Sequence, residues 1–431
     1  MAENNNDDDN NRVENDRDWS SLPDEIWAMI GGRLVSFPLD VLRFRSVCSF
    51  FRSLFPHPPF SSAFPSPPPL PRFSFPVPSF SSSADAFVSR TTLFRLDRPF
   101  CRGGPHLAGW LLKVQDPLPH RPHSGAPGGG GKFRLFDPLS CHRIKDLITT
   151  GDGDGDGGGL HLNDFSLTEL TTSYSLRYVR GSASIGGVNK LIPSPHSSSA
   201  SAIFLIYDNG KLGFAKNGDD GITLIDDKIL DFNDIILHRN QPYVVDRWGT
   251  VSWINKSLNL IQYSPPLFGL GHRKHLVAGE PFFIVDRYLD VSHDYQYPSE
   301  AGVNFNALHR HPRRRRRFDE SVPKTVDFKV YKLDEECGKW VEVKCLGEQA
   351  FVLSYDCCFA IRAKEYVGFR KNCIYFTEQF DMDFALRRLG RLGGCVFSLE
   401  DRTIEDLPCT PGYSQLFWPP PIPTRLCTGR V

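Results

Sequence analysis

"AIFLIYDNGKLGFAK", residues 202–216, reads as a β-hairpin. Two strands read as alternating flank Asp208-Asn209-Gly210, a turn in which Asn-Gly supplies the positive φ that a tight hairpin needs. The same design recurs outward from it. "QPYVVDRWGTVSWI" (241–254) turns around Asp246 and Gly249, and "EPFFIVDRYLDV" (280–291) starts another unit. "VDFKVYKLDEECGKWVEVKCLG" (326–347) turns at Asp334–Gly338, and "GGCVFSLEDRTIEDLP" (393–408) ends the series. Few helical stretches come between, so residues 87–416 are expected to be all-β. Four-strand units of this kind close as a propeller. Their uneven lengths and the lack of a repeat signature leave a sandwich or an irregular barrel open on pattern alone.

Three stretches interrupt the strands and read as flexible inserts: near 120–132, near 150–160 and at 291–322. The second contains "GDGDGDGGG". Asp152, Asp154 and Asp156 imitate the start of a calcium loop, but Asn163 stands where a bidentate Glu is required. It reads as a solvated loop, and no metal is expected. The third contains Arg313, Arg314, Arg315, Arg316 and Arg317, a run of the kind used for nuclear import or for docking to an anionic surface.

Residues 1–17 are a polar, acidic tail with too little apolar content to fold. Residues 18–55 have helical spacing. Pro23 suits a first helical turn, and Asp24 and Glu25 complement the positive helix end. Ile26, Met29, Ile30, Arg33 and Leu34 share a face, and Pro38 stops the helix. Leu39 and Leu42 begin a second helix. Ser46 caps a third, with Val47, Phe50, Phe51 and Leu54 at helical spacing. Residues 56–86, rich in proline and serine, read as an extended linker, and 417–431 as a C-terminal tail.

The 431 residues carry 50 basic and 50 acidic side chains, so no charge excess points to nucleic acid. The N-terminal stretch has no signal-like apolar segment, and no run is long and apolar enough for a membrane span. Nucleus and/or cytoplasm is the expected location. The 11 cysteines lie mostly in apolar runs without a CxxC pair, as reduced core thiols do. There is no nucleophile elbow, zinc-protease motif, phosphate loop or dinucleotide fingerprint. Asp226-Asp227 and Glu335-Glu336 sit at turns, and His238 and His275 beside strands, so no catalytic residue and no cofactor is assigned.

"SLPDEIWAMIGGRLVSFPLDVLRFRSVCSFFRSLFP" (21–56) resembles the F-box, which attaches substrate receptors to a Skp-type adaptor in cullin–RING ubiquitin ligases. The match runs through Leu22-Pro23, Asp24-Glu25, Ile26, Ile30, Arg33-Leu34, Leu39, Leu42, Val47-Cys48 and Phe51-Arg52. Phe51 stands where the family usually has Trp, which keeps the packing and loses the indole N–H. "FRLFDPLS", "FNDIILHRNQPYVVDRWGTVSWI", "FKVYKLDEECGKWVEVKCLGEQAFVLSYDCCFAI" and "KNCIYF" resemble the β domain of plant F-box proteins with a KIB-type propeller, the Skp-interacting group.

The resemblance implies a mainly β chain with a small N-terminal α domain, a three-helix F-box followed by a propeller. It implies a non-catalytic subunit that binds the adaptor through Leu22, Pro23, Asp24, Ile26, Ile30, Leu34, Leu42, Val47, Cys48 and Phe51. The β domain would hold an unknown protein for ubiquitination, with neither nucleic acid nor membrane as partner. Two other classes stay open: a non-degradative inhibitor, for instance of a kinase, and a β domain that binds a small ligand or carbohydrate.

Overall fold

The computed structural model describes residues 23, 25–27, 29, 50–51, 72–76, 83–97, 109–116, 134–139, 143–144, 166–178, 188–195, 202–207, 210–219, 221–226, 231–279, 282–290, 324–378, 394–407 and 418. The chain divides into two compact units, Met1–Pro67 and Pro68–Val431. No helix among the described residues is long and apolar enough to cross a membrane.

The larger unit is built of strands. A first group comprises β1 (Arg72–Pro76), β2 (Ser83–Asp97), β3 (Trp110–Gln115) and β4 (Arg134–Phe136), and a second comprises β5 (Ser166–Tyr178), β6 (Val188–Pro193), β7 (Ala202–Tyr207), β8 (Lys211–Lys216) and β9 (Thr223–Leu224). A third holds β10 (Phe232–His238), β11 (Gln241–Asp246), β12 (Val251–Ile254) and β13 (Leu260–Gln262). A fourth holds β14 (Arg273–Val277), β15 (Phe283–Asp290), β16 (Lys324–Asp334) and β17 (Lys339–Val343). A fifth holds β18 (Gln349–Leu353), β19 (Cys358–Arg362), β20 (Cys373–Thr377), β21 (Gly394–Ser398) and β22 (Thr403–Asp406). The long β2 and β5 pair from Ala86↔Tyr178 to Asp97↔Ser166, which fuses the first two groups into one sheet. The others are separate antiparallel sheets, apart from the parallel β18–β20 pair.

The hairpin at 202–216 explains how the sheets stack. Gly210 has φ +112 and its N–H closes the turn on Tyr207 O at 3.1 Å, a conformation that costs glycine nothing. Successive β7 side chains point to opposite faces of the sheet. Ile203 and Leu205 pack with Ala86, Val88 and Leu176, whereas Phe204 and Ile206 pack with Phe232, Ile235 and Val244. Both faces of the blade are buried, so the run is almost wholly apolar rather than alternating.

The same division recurs in β11, β15 and β18. Val244 faces the second group and Val245 the fourth. Ile284 faces the third group, and Phe283 and Val285 the fifth. Phe351 and Leu353 face the fourth, and Ala350 and Val352 face Leu93 and Leu111 of the first. Each group therefore packs on its neighbours, and the last packs on the first. This closed ring of sheets is a β-propeller.

Two expected boundaries are corrected. Strand β1 and the start of β2 lie inside the stretch read as a linker up to residue 86, because Arg72–Pro76 pairs in register with Phe87–Ser83. At the other end, Trp418 is buried against Phe369 and Tyr375, and its carbonyl accepts from Leu111 N at 3.1 Å, so the domain reaches beyond 416. The inserts at 120–132, 150–160 and 291–322 and the arginine run lie outside the described residues.

Candidate functional site

In the N-terminal unit, Ile26 N and Trp27 N donate to Pro23 O at 3.0 and 3.3 Å, forming the first turn of a helix. Trp27 is buried, its ring centroid 4.4 Å from that of Phe51, while Met29 is 62% exposed. Residues 27 and 29 lie about 200° apart around a helix, so the indole faces inward and the thioether outward. Of the expected adaptor contacts, Pro23 is exposed, Ile26 is half-buried, and Phe51 packs on Trp27. Leu22, Asp24, Ile30, Leu34, Leu42, Val47 and Cys48 lie outside the described residues. Sequence reasoning missed Trp27, whose signal was the lone large aromatic beside the Ile26 stripe.

The propeller's inner strands bring a second group of polar side chains together. Lys190 on β6, Asp234 on β10, His275 on β14 and Cys358 on β19 line a small cavity together with Arg273 and Arg287. The Lys190 ammonium donates to Asp234 Oδ1 at 2.5 Å. Ile235 N donates to the same oxygen at 2.7 Å and Leu276 N to Oδ2 at 2.9 Å. One carboxylate thus ties three blades together. Burial alone would lower the Lys190 pKa, but the attraction of Asp234 outweighs it and raises the pKa above the usual lysine value.

Similar ties occur around the ring. Asp356 accepts from Lys113 Nζ on β3 at 2.5 Å and from Ser173 Oγ on β5 at 2.6 Å. Within the fourth blade, Lys274 and Asp286, both fully buried, lie 2.6 Å apart across the paired strands β14 and β15. The Arg287 guanidinium donates to Thr377 O at 2.9 Å and Glu378 Oε2 at 3.0 Å, and burial lowers its pKa to about 10 against the opposing pull of Glu378.

One donor atom each from Asp234, His275 and Cys358 lies within 4.8 Å of the other two, a set of a kind that binds soft metals. The local charge opposes that use. Asp234 already accepts from an ammonium and two backbone N–H groups, and Arg273 and Arg287 line the same cavity. Cysteine nucleophilic chemistry also lacks support. His275 Nδ1 is 3.8 Å from Cys358 Sγ, but burial pushes the thiol up to about 12. Burial and then Arg287, Lys190, Arg273 and Lys274 hold the imidazole well below 6.5. A thiolate–imidazolium pair needs the opposite shifts. His238 ends β10, its ring edge-on to Phe282 at 5.6 Å, and Glu335 accepts from Tyr263 Oη at 2.7 Å. Both are structural contacts.

The molecule is therefore a propeller whose blades are joined along the axis by buried ion pairs, preceded by a unit with an aromatic-packed helix. Residues 78–398 match the family model described as the KIB1-4 β-propeller, and the chain belongs to that family. Its relatives include F-box proteins of Arabidopsis thaliana. The F-box protein At4g35733 is 29% identical over 84% of this chain and 89% of the relative. The F-box protein At2g26160 is 28% identical over 84% and 96%. The F-box protein SKIP23 is 27% identical over 94% and 95%.

Proposed function

We propose that this chain is the substrate-recognition subunit of a Skp–cullin–F-box ubiquitin ligase, acting in the nucleus and cytoplasm. The N-terminal helices bind the Skp-type adaptor, and the propeller holds the target protein. Kinship with proteins named F-box, extending over up to 94% of the chain, is the observation that carries this reading. The outward Met29 and exposed Pro23 support it, since an apolar helical face turned to solvent is suited to docking.

The mechanism is positioning. Tethering the target beside the ubiquitin-charged enzyme raises its effective concentration, and this chain supplies no covalent step. The ion pairs that line the cavity favour a scaffold role over ligand binding or hydrolysis. Arg313–Arg317 serve nuclear import, which alanine substitution in a fluorescent fusion tests by loss of nuclear signal. The central test is a pull-down of the full chain with a purified plant Skp-type adaptor. Wild type is expected to bind, and Leu22→Ala/Pro23→Ala to bind at least about tenfold more weakly. No binding by wild type overturns the receptor reading, and equal binding by the variant overturns the contact assignment.

A further inference from the structure

The turn between β11 and β12 and the loop from β13 to β14 lie at one end of the propeller. Phe232 pairs with Asp246, and Arg247 N donates to Asp231 O at 2.9 Å, so the turn sits at the start of β10. The second segment leads directly into the start of β14. The two segments are joined, because Leu267 N and Phe268 N both donate to Trp248 O at 3.0 Å. Gly249, at φ +79, permits this approach: a Cβ there would come 2.5 Å from Leu267 Cβ. Further contacts fix the loop. Leu267 packs on the core between the third and fourth blades, Pro265 O accepts from Trp340 Nε1 at 2.9 Å, and His272 N donates to Arg287 O at 2.8 Å.

This rigid frame presents apolar side chains to water. Trp248 is 59% exposed, Phe268 70% and Leu270 86%. Phe268 has φ +53, a left-handed conformation that is strained for a bulky residue and easy for glycine. A strained backbone that keeps an aromatic ring in solvent contributes nothing to stability. Such strain clusters where a segment works on a ligand. Trp with a neighbouring Arg is the composition of binding hot spots, and fixing the ring in advance lowers the ordering cost on binding.

Charge indicates the partner. The Arg247 guanidinium lies 5.9 Å from the centre of the Trp248 ring, and its side chain is 61% exposed. It reaches Asp231 Oδ2 at 3.5 Å, a carboxylate that is itself half-exposed. An apolar anchor followed by a carboxylate would fill the patch and complete that arginine. A two-fold contact with this patch on its axis would instead bring Arg247 towards another Arg247.

We infer that Trp248, Phe268 and Leu270, with Arg247 at their rim, form the docking surface for the target polypeptide, and that it takes an apolar side chain flanked by acidic residues. This rests on the receptor reading and gives it a specific surface.

Fluorescence anisotropy with the full chain tests it. The probes are labelled peptides sharing a Leu-x-x-Phe core, flanked by Asp/Glu, by Ser or by Lys/Arg. The acidic probe is expected to bind at least about tenfold tighter than the basic one. Phe268→Gly/Leu270→Ser should weaken it about tenfold or more, and Arg247→Glu should reverse the preference. Glycine adopts the Phe268 backbone freely, so the melting temperature of Phe268→Gly should hold or rise, which separates lost docking from lost folding. Equal binding of all probes, or undiminished binding by Phe268→Gly/Leu270→Ser, overturns the inference. A wild-type dimer in sedimentation that Leu270→Asp dissociates also overturns it, in favour of a second copy. The adaptor pull-down keeps the two readings apart. Peptide failure with adaptor binding intact sinks only the docking surface, whereas failure of wild type to bind the adaptor sinks the receptor reading.

Discussion

Lys190 and Asp234, 44 residues apart in sequence, meet at 2.5 Å and join the second blade to the third. Both side chains are almost fully buried. Removing one partner of such a pair leaves an uncompensated charge in the interior. Lys190→Met is expected to cost about 3–5 kcal/mol in urea unfolding. Lys190→Met/Asp234→Asn should recover part of this, because the amide oxygen still accepts from backbone N–H. Equal stability of wild type and Lys190→Met would refute the blade-joining role.

Stability should fall in mild acid because of His275. Burial and the surrounding Arg287, Lys190, Arg273 and Lys274 keep its folded-state pKa well below the ordinary 6.5. Below 6.5 the unfolded chain takes up a proton that the folded chain refuses, so the stability present above that pH is lost as pH drops. His238 and His272 are lowered as well, both chiefly by burial, and act in the same direction. The melting temperature is expected to decline from pH 7 to pH 5, less steeply in His275→Asn. Parallel profiles for the two proteins would remove His275 from the explanation.

Thiol labelling should follow burial. Cys337 and Cys345 are exposed, whereas Cys357, Cys373 and Cys395 are buried and burial pushes Cys358 up to about 12. Among these six described cysteines, iodoacetamide at pH 8 followed by peptide mass mapping should modify Cys337 and Cys345 in the native protein and the other four only after unfolding. The Asp334 carboxylate raises the Cys337 thiol, so Asp334→Asn should speed labelling at that position. Rapid native labelling of Cys358 would show that the cavity it lines opens to solvent.

Gly271 and Gly218 should respond differently to alanine. A Cβ at Gly271 would collide with the Asp286 carboxylate that pairs with Lys274. Overpacking of this kind costs about 1–3 kcal/mol, and losing the buried ion pair would add to it. Gly218 has open space around it and φ +93, so alanine there meets only backbone strain. Thermal unfolding should show the larger loss for Gly271→Ala.

Trp27 and Met29 should separate folding from docking. Trp27→Ala removes the ring packed on Phe51, so it should reduce helical circular dichroism and adaptor binding together. Met29→Asp, on the outer face, should reduce adaptor binding with helicity retained. Loss of helicity in Met29→Asp would place that side chain inside.

Much of the propeller was legible because its hairpins are local. The turns at Gly210, Gly249 and Gly338 all have positive φ, and each falls between strands where the residues put it. The blade-joining contacts were not legible. Lys113 meets Asp356 across 243 residues, and Arg287 reaches Glu378 across 91. A buried lysine has the same letter as a surface lysine, and only the closed ring brings it to its carboxylate. Strand β1 was hidden by the prolines around it, since edge strands tolerate proline and linkers favour it. The exposed Phe268 gave no periodic signal, because its importance lies in a backbone angle.

The order of folding follows from where the ring closes. Gly109 N donates to Glu365 O at 2.8 Å and Leu111 N to Trp418 O at 3.1 Å, so strands of the first blade are completed by residues of the fifth blade and beyond it. A ribosome carrying the first four blades carries an open arc with one apolar face of its first blade uncovered. That arc cannot close until residue 418 has left the exit tunnel, and until then its open apolar face is a site where misassociation can start.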